Sequence, residues 1–347
     1  MSIVHKDERI LLAHGGGGSL MRGLIEDLIL KRLNNPVLAR LEDSAVLPPL
    51  PGGGEVSSGR LAFTTDSYVV KPLFFKGGDI GKLAVCGTVN DLAASGARPL
   101  WLTLSFIIEE GFPIDQLERI VDAVSEASGQ AEVKVVAGDI KVVERGAADG
   151  LYINTSGIGV VAEGVNLSPS LIKEGDKVLV SGPIGEHGMA VIAARDQVEL
   201  DIDVESDVAP LGGLVRDILD NGQAVHFLRD PTRGGLAAVL NEAASAAGLT
   251  IRLFEDKIPL KSGVKAISEM LGLDPLSLAC EGRMVAIVEG KGAGKILKQM
   301  RQSPLGKEAS IIGEVLSPLA ARVILETKVG GRRTVDMPYG EELPRIC

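Results

Sequence analysis

Two stretches of alternating strand-like and helical runs, joined by a polar seam at about residues 160–170, set the limits on what this chain can fold into. In the first stretch LWLTLSFIIE, VKVVAGDIKVV and LYINTSGIGVVAEG read as strands, the second breaking at Gly138–Asp139. GDIGKLAVCGTVNDLAASG and IDQLERIVDAVSEASGQA read as helices, the latter amphipathic with a solvated face. A helix is also expected over Leu20–Leu33, capped by Ser19 after GGGG. SAVLPPLPGGGEVSSGRLAFTTDSYVV reads as a strand, a turn-rich loop and a strand ending near Asp66. The seam, AEGVNLSPSLIKEGD, contains Pro169. Beyond it KVLVSG and RMVAIVEG are strands, EHGMAVIAAR and AGKILKQMRQS are helices, and LRDPTRGGLAAVLNEAASAAG is a turn feeding a helix. This order predicts an α/β fold. The 347 residues suffice for two domains of about 150 residues each. We expect them at 1–160 and 165–333, followed by a flexible tail at 334–347.

Composition narrows the function. Apolar residues make up 45% of the chain, enough for two cores, whereas aromatics are 3%, too few to stack bases in a nucleic-acid groove. A net charge of −10 repels nucleic acid and anionic membranes, and no basic patch offsets it. No window of about 20 apolar residues is present, so no membrane span is expected. The N-terminus lacks a signal-peptide layout, and the three cysteines, Cys86, Cys280 and Cys347, form no CxxC. A cytoplasmic enzyme is the simple expectation.

The chemistry-bearing pattern is a set of acids where the chain changes element. Asp43 precedes an apolar strand, Asp66 closes one, Asp91 lies in NDLAASG, Asp139 follows Gly138 and Asp230 opens RDPTRGGL. Brought together, such carboxylates make a hard-oxygen site for Mg²⁺, which would offset their repulsion and let an anionic nucleotide approach. Aspartates at such places also serve as caps and turn formers, and spacing alone does not bring them together. HGGGGS, GGD at 77–79 and RDPTRGG offer glycine-rich phosphate loops, which are weak signals in a chain with 43 glycines. No Walker motif is present; GKGAGKI at 290–296 has the wrong spacing.

The chain stops at MPYGEELPRIC. A lone cysteine at the end of a segment broken by Pro338, Gly340 and Pro344 points to use of its thiol. The last 11 residues could span up to ~36 Å if extended. Cys86 and Cys280 read as buried small hydrophobes.

GGDIGKLAVCGTVNDLAASGARP, VAGDIKVV, SGPIGEHGMAV, RDPTRGGLAAVLNE, CEGR and the final PRIC occur together and in order. With them the chain resembles the HypE family of hydrogenase maturation proteins, in the PurM-like superfamily of aminoimidazole ribonucleotide (AIR) synthetase and selenophosphate synthetase. NDLA and DPTRGGL are shared across that superfamily, and PRIC is particular to HypE. The resemblance implies two α/β domains, a homodimer whose N-terminal strands form a barrel, and ATP with Mg²⁺ in a cleft. It further implies ATP-dependent dehydration of a carbamoyl group on Cys347 to a thiocyanate. HypF would be the carbamoyl donor and the HypC–HypD scaffold the cyanide acceptor. Asp43, Asp66, Asp91 and Asp230 match the metal and phosphate ligands, and Asn90 and Asp139 match nucleotide-site positions. Glu281 matches the base, Lys134 its partner, and His187 a cleft histidine of open role. The sequence departs from the family pattern at Lys71, Lys76 and Ile140. Two alternatives stay open: a small-molecule synthetase of the same fold making selenophosphate or a purine intermediate, and a nucleotide-binding scaffold that uses the tail for docking.

Overall fold

β-Branched and apolar side chains at alternate positions build two sheets, one from each half of the sequence. The computed structural model describes residues 10–16, 18–33, 35–47, 59–195, 204–220, 225–317, 320–340, 343 and 345–347. The turn-rich loop expected at 48–58 lies outside them.

The chain enters through α1 (Ser19–Leu24) and α2 (Leu30–Leu33), joined by a π-helical stretch, Ile25–Ile29. Ser19 is not the cap that the sequence suggested: Gly18 holds that position. The helix start is satisfied from the far end of the chain. The Ser19 and Leu20 N–H groups donate to the Pro338 and Tyr339 carbonyls at 2.9 and 3.3 Å. A helix leaves its first N–H groups without intrahelical partners, and here two carbonyls of the C-terminal segment take them.

The first sheet contains β1 (Ala45–Val46), β2 (Gly59–Tyr68), β5 (Ala97–Glu109), β6 (Lys134–Val143) and β7 (Leu151–Ala162). Their order is β1-β2-β7-β5-β6, and β3 (Phe74–Phe75) with β4 (Gly78–Asp79) forms a separate hairpin. β5 and β6 run parallel because α4 (Ile114–Gln130) crosses between them. α4 is amphipathic, burying Ile120, Val124 and Ala127. α3 (Ile80–Ala94) is buried nearly all round, which explains its small-residue composition. Asp79 caps it, accepting from Gly81 N and Lys82 N at 2.8 and 3.1 Å.

β6 runs unbroken through Gly138–Asp139, against the expected break. Gly138 is there for close approach: a Cβ would lie 2.4 Å from the Leu104 carbonyl oxygen of β5. β6 is an edge strand of an open sheet, not closed into a barrel within one chain. Its Val136, Ile140 and Val142 are 60%, 61% and 66% exposed, an unusual load of apolar surface on a sheet edge.

The second sheet orders β14 (Arg332–Val335), β13 (Arg322–Glu326), β10 (Thr250–Phe254), β12 (Ser310–Leu316), β8 (Lys177–Val180), β11 (Val285–Val288) and β9 (Val225–Arg229). Around it lie α5 (Glu186–Ala193), α6 (Gly212–Leu219), α7 (Gly235–Ala247), α8 (Ser262–Leu271) and α9 (Ala293–Met300). β8 and β11 are buried on both faces, so they read as continuous apolar runs. Among the described residues, no helix is long and apolar enough to cross a membrane.

Candidate active site

Three of the sequence-selected acids meet. The carboxylates of Asp43, Asp91 and Asp230 each offer an oxygen within 4.8 Å of the others. They come from the turn before β1, the last turn of α3 and the end of β9, and sequence spacing could not show their convergence. Asp66 joins them. On β2, Ala62, Thr64 and Tyr68 are buried while Phe63, Thr65 and Ser67 are exposed, and the period of two puts Asp66 on the buried face with the first three. The Thr64 hydroxyl lies 2.9 Å from the Asp43 carbonyl and 3.0 Å from the Asp91 carboxylate.

The cluster holds more negative charge than its surroundings compensate. Burial, then Asp66, Asp230 and Asp43, push the Asp91 carboxyl well above the usual range. Burial, followed by Asp43, pushes Asp230 up to about 8. Asp43 is also raised by burial, although Arg229 at 2.8 Å draws it down; Arg229 pairs with Glu242 as well. One carboxylate oxygen each of Asp66 and Asp230 is buried without a partner. Crowded hard oxygens with unsatisfied lone pairs fit a divalent cation.

Glu281 lies in the loop before β11, 1% exposed, with Oε1 buried and unpartnered. Burial, then Asp230 and Asp207, hold its carboxyl far above the normal range, and Arg233 draws it down. Arg233 precedes α7. Its guanidinium is held protonated first by the charge at Cys347 and then, against the cost of burial, by Asp66 and Glu281.

The C-terminal residues are docked here. Ile346 and Cys347 are 4% and 9% exposed. The Val69 N–H donates to the Cys347 carbonyl at 3.2 Å and the Lys71 N–H to the Arg345 carbonyl at 3.1 Å, so the end of the tail is held by the backbone of residues 69–71. His187, on α5, has Nε2 2.8 Å from the Ile346 carbonyl. Lys71 and Arg345 both pair with Asp149.

Two expected residues stand elsewhere. Lys134 and Asp139 are exposed on β6; Asp139 pairs with Lys141, which lowers its pKa, and the main charges on Glu281 do not include Lys134. Both belong to an edge strand, so one chain does not bring them to the cluster. Asn90 is near the site but spends its amide on the protein. It donates to the Ala209 and Glu281 carbonyls, both at 3.1 Å, and accepts from Leu211 N at 2.8 Å. These bonds clamp the Glu281 loop. Cys86 and Cys280 are fully buried. Arg229, Arg233, Asp149 and Ser206 were not singled out by sequence. Arg229 and Arg233 did carry a signal, their place in RDPTRGGL.

Residues 41–161 match the AIR synthase related protein N-terminal domain, and residues 173–325 match the corresponding C-terminal domain. The protein named carbamoyl dehydratase HypE from Rhizobium leguminosarum bv. viciae is 49% identical over 340 residues, covering 98% of this chain and 95% of that relative. The chain belongs to the HypE family. Two solved HypE structures share the fold described above. A HypE–HypF complex superposes with a TM-score of 0.84 at 49% identity, covering 91% of this chain and 99% of that one. A HypE in complex with ATP gives 0.80 at 42%, covering 98% and 100%. The PurM-like architecture expected from the motifs is therefore present, as two sheets that stay open within the single chain.

Proposed function

We infer that this chain is an ATP-dependent carbamoyl dehydratase of hydrogenase maturation and that the group it dehydrates is carried on its own Cys347. One observation supports this reading above the rest: Cys347 is docked, 9% exposed and with its carbonyl held by the Val69 N–H at 3.2 Å, and its charge acts on Arg233, as do those of Asp66 and Glu281. A single guanidinium thus links the terminal residue, the acid cluster and a buried carboxyl that could take a proton.

An S-carbamoyl group, S–C(=O)–NH₂, cannot expel its oxygen as hydroxide at a useful rate. Phosphorylation of that oxygen by the γ-phosphoryl of ATP, with loss of one N–H proton, converts it into a phosphate leaving group. Loss of the second N–H proton then forms C≡N and breaks the C–O bond. The sum is carbamoyl thioester plus ATP giving thiocyanate, ADP, phosphate and a proton. Mg²⁺ held by Asp43, Asp66, Asp91 and Asp230 would neutralise nucleotide charge in this acidic pocket. Arg233 holds charge developing on the carbamoyl oxygen. Glu281 accepts the nitrogen proton, a task suited to a carboxyl whose burial has raised its proton affinity. Asn90 fixes the backbone on which Glu281 sits.

In this reading HypF supplies the carbamoyl group, the HypC–HypD scaffold accepts the cyanide, and the work is done in the cytoplasm, where the thiol stays reduced. The division into 1–160, 165–333 and a moving tail at 334–347 belongs to the same proposal, the docked tail being one end of its travel. So does a homodimer in which the exposed β6 strand of one copy meets that of another and the two open sheets close into a barrel.

Mass spectrometry of the C-terminal peptide after incubation with ATP, Mg²⁺ and a carbamoylating partner tests the chemistry. A cyano group on Cys347, absent without ATP, is expected. A tail that is carbamoylated but never cyanated would rule the reading out.

A further inference from the structure

The docked tail is hydrogen-bonded on two sides through its backbone carbonyls. Those of Arg345 and Cys347 face residues 69–71, and that of Ile346 faces His187. We propose that His187, with Ser206 behind it, is a positioning residue that holds the last peptide of the chain for reaction. The proposal rests on the reading that Cys347 carries the substrate group.

The hydrogen bonds assign themselves. A carbonyl only accepts, so Nε2 of His187 carries the proton that reaches Ile346 O at 2.8 Å. Burial lowers the ring's pKa to about 4, so it is neutral at pH 7 and Nδ1 is an acceptor. The Ser206 hydroxyl, 2.8 Å away, donates to Nδ1, and its oxygen in turn accepts the Val208 N–H at 3.1 Å. The relay runs one way, from Ser206 through the imidazole to the tail. Phe75 meets the ring edge-on, with centroids 5.3 Å apart and planes at 84°, and fixes its orientation. With both nitrogens engaged, His187 is a holding group and not a proton carrier.

Ser206 is itself tightly placed. Its N–H donates to the Lys76 carbonyl at 2.8 Å. Gly77 beside it has φ +92°, and a Cβ there would lie 2.8 Å from both Ser206 N and O. The next residue, Asp207, accepts the Glu281 N–H at 3.0 Å. The Ser206–Asp207 pair therefore braces the tail's last peptide through His187 and the backbone of the proposed base directly. Their common anchor fixes the distance between the carried group and Glu281.

The test uses the full-length protein with two readouts: the rate at which a maleimide labels Cys347, and single-turnover dehydration of the carbamoylated tail with saturating Mg²⁺ and varied ATP. His187→Phe keeps the ring volume and loses the donor. Losing one buried hydrogen bond predicts labelling about tenfold faster and a maximal dehydration rate about tenfold lower, with the ATP concentration at half-maximal rate unchanged. His187→Gln, whose Nε2 can still donate to Ile346, restores both. Ser206→Ala, which removes the donor to Nδ1 and so weakens the hold on the tautomer that bonds Ile346, shifts both in the same direction as Phe and decides the matter if His187→Phe does not fold. Wild-type labelling and turnover in His187→Phe, or in Ser206→Ala where that is the folded variant, would overturn the proposal, as would Gln behaving like Phe. If the labelling pattern appears but wild-type protein never forms a cyano group, the hold on the tail stands and the functional reading falls.

Discussion

Asp149 and Arg345, 196 positions apart in the sequence, form an ion pair that pins the C-terminal segment across the β7 end of the first sheet, with Lys71 on the same carboxylate oxygen. The Lys71 ammonium and the Arg345 guanidinium together hold the Asp149 carboxyl below its usual range. Asp149 is about half exposed, its side chain at 47%, so the pair is screened by solvent and its contribution is small, on the order of 0.5 kcal/mol.

Asp149→Asn is therefore expected to loosen the tail mildly. Labelling of Cys347 should quicken by about two- to threefold at low salt, and the difference should shrink as salt is raised. A labelling rate equal to wild type at low salt would show that the pair contributes nothing to docking.

Glu281→Gln removes the proposed base while keeping its shape. Formation of the cyano group is expected to fall by about 10²–10⁴-fold, with ATP binding retained. The pH profile carries the sign. Because burial raises the Glu281 pKa, its working ionised form accumulates as pH rises through that raised value, so the wild-type rate climbs with pH. The variant should lose this rising limb; a profile unchanged in shape would remove Glu281 from the role.

Asp91→Asn lowers the charge of a cluster whose members raise one another's pKa. In metal-free buffer the variant should be more stable than wild type, by about 1 kcal/mol or more, because buried like-charge repulsion is relieved. Added Mg²⁺ should raise the unfolding temperature of wild type and not of the variant. Thermal scans with and without Mg²⁺ read both effects, and an equal Mg²⁺ response in the two proteins would exclude Asp91 as a ligand.

Ile140→Lys places a charge in the exposed apolar row of β6, at a residue 61% exposed in the single chain. If two copies meet along this edge, the substitution should convert a dimer to a monomer in light scattering, with the far-UV circular dichroism spectrum kept. A wild-type protein that is monomeric at micromolar concentration would dispose of the β6 interface.

Gly282→Ala tests how tightly the Glu281 loop is seated. A Cβ at Gly282 would lie 1.7 Å from the Asp207 carbonyl oxygen and 2.7 Å from its carbon, both backbone atoms that cannot step aside. Destabilisation of about 2–4 kcal/mol is expected in denaturant titration. A loss below about 0.5 kcal/mol would mean that the loop is more compliant than its close packing indicates.

Much of the architecture was legible because its signals are local. The amphipathic period of α4, the unbroken apolar runs of β8 and β11 and the small-residue helix α3 are each set by the solvent exposure of neighbouring faces, which a period of 3.6 or 2 records in the sequence. The acids at element ends and the terminal cysteine stood out on their own, and the family motifs gave them roles. Two local expectations failed for tertiary reasons: Gly138 reads as a break but serves a close approach to β5, and Ser19 reads as a cap where distant carbonyls do the capping.

The sequence by itself determined two α/β halves, a set of acids at the ends of elements and a thiol in the last residue given. Only the tertiary structure decided that Asp43, Asp91 and Asp230 meet while Asp139 stands apart, that Asn90 is a clamp, and that Arg233 and His187 receive the last two residues. The physical reason is range. Secondary structure follows from the side chains within a few residues, whereas a carboxylate's neighbours, and with them its pKa and its chemistry, are fixed by segments that only the packing of the two sheets brings together.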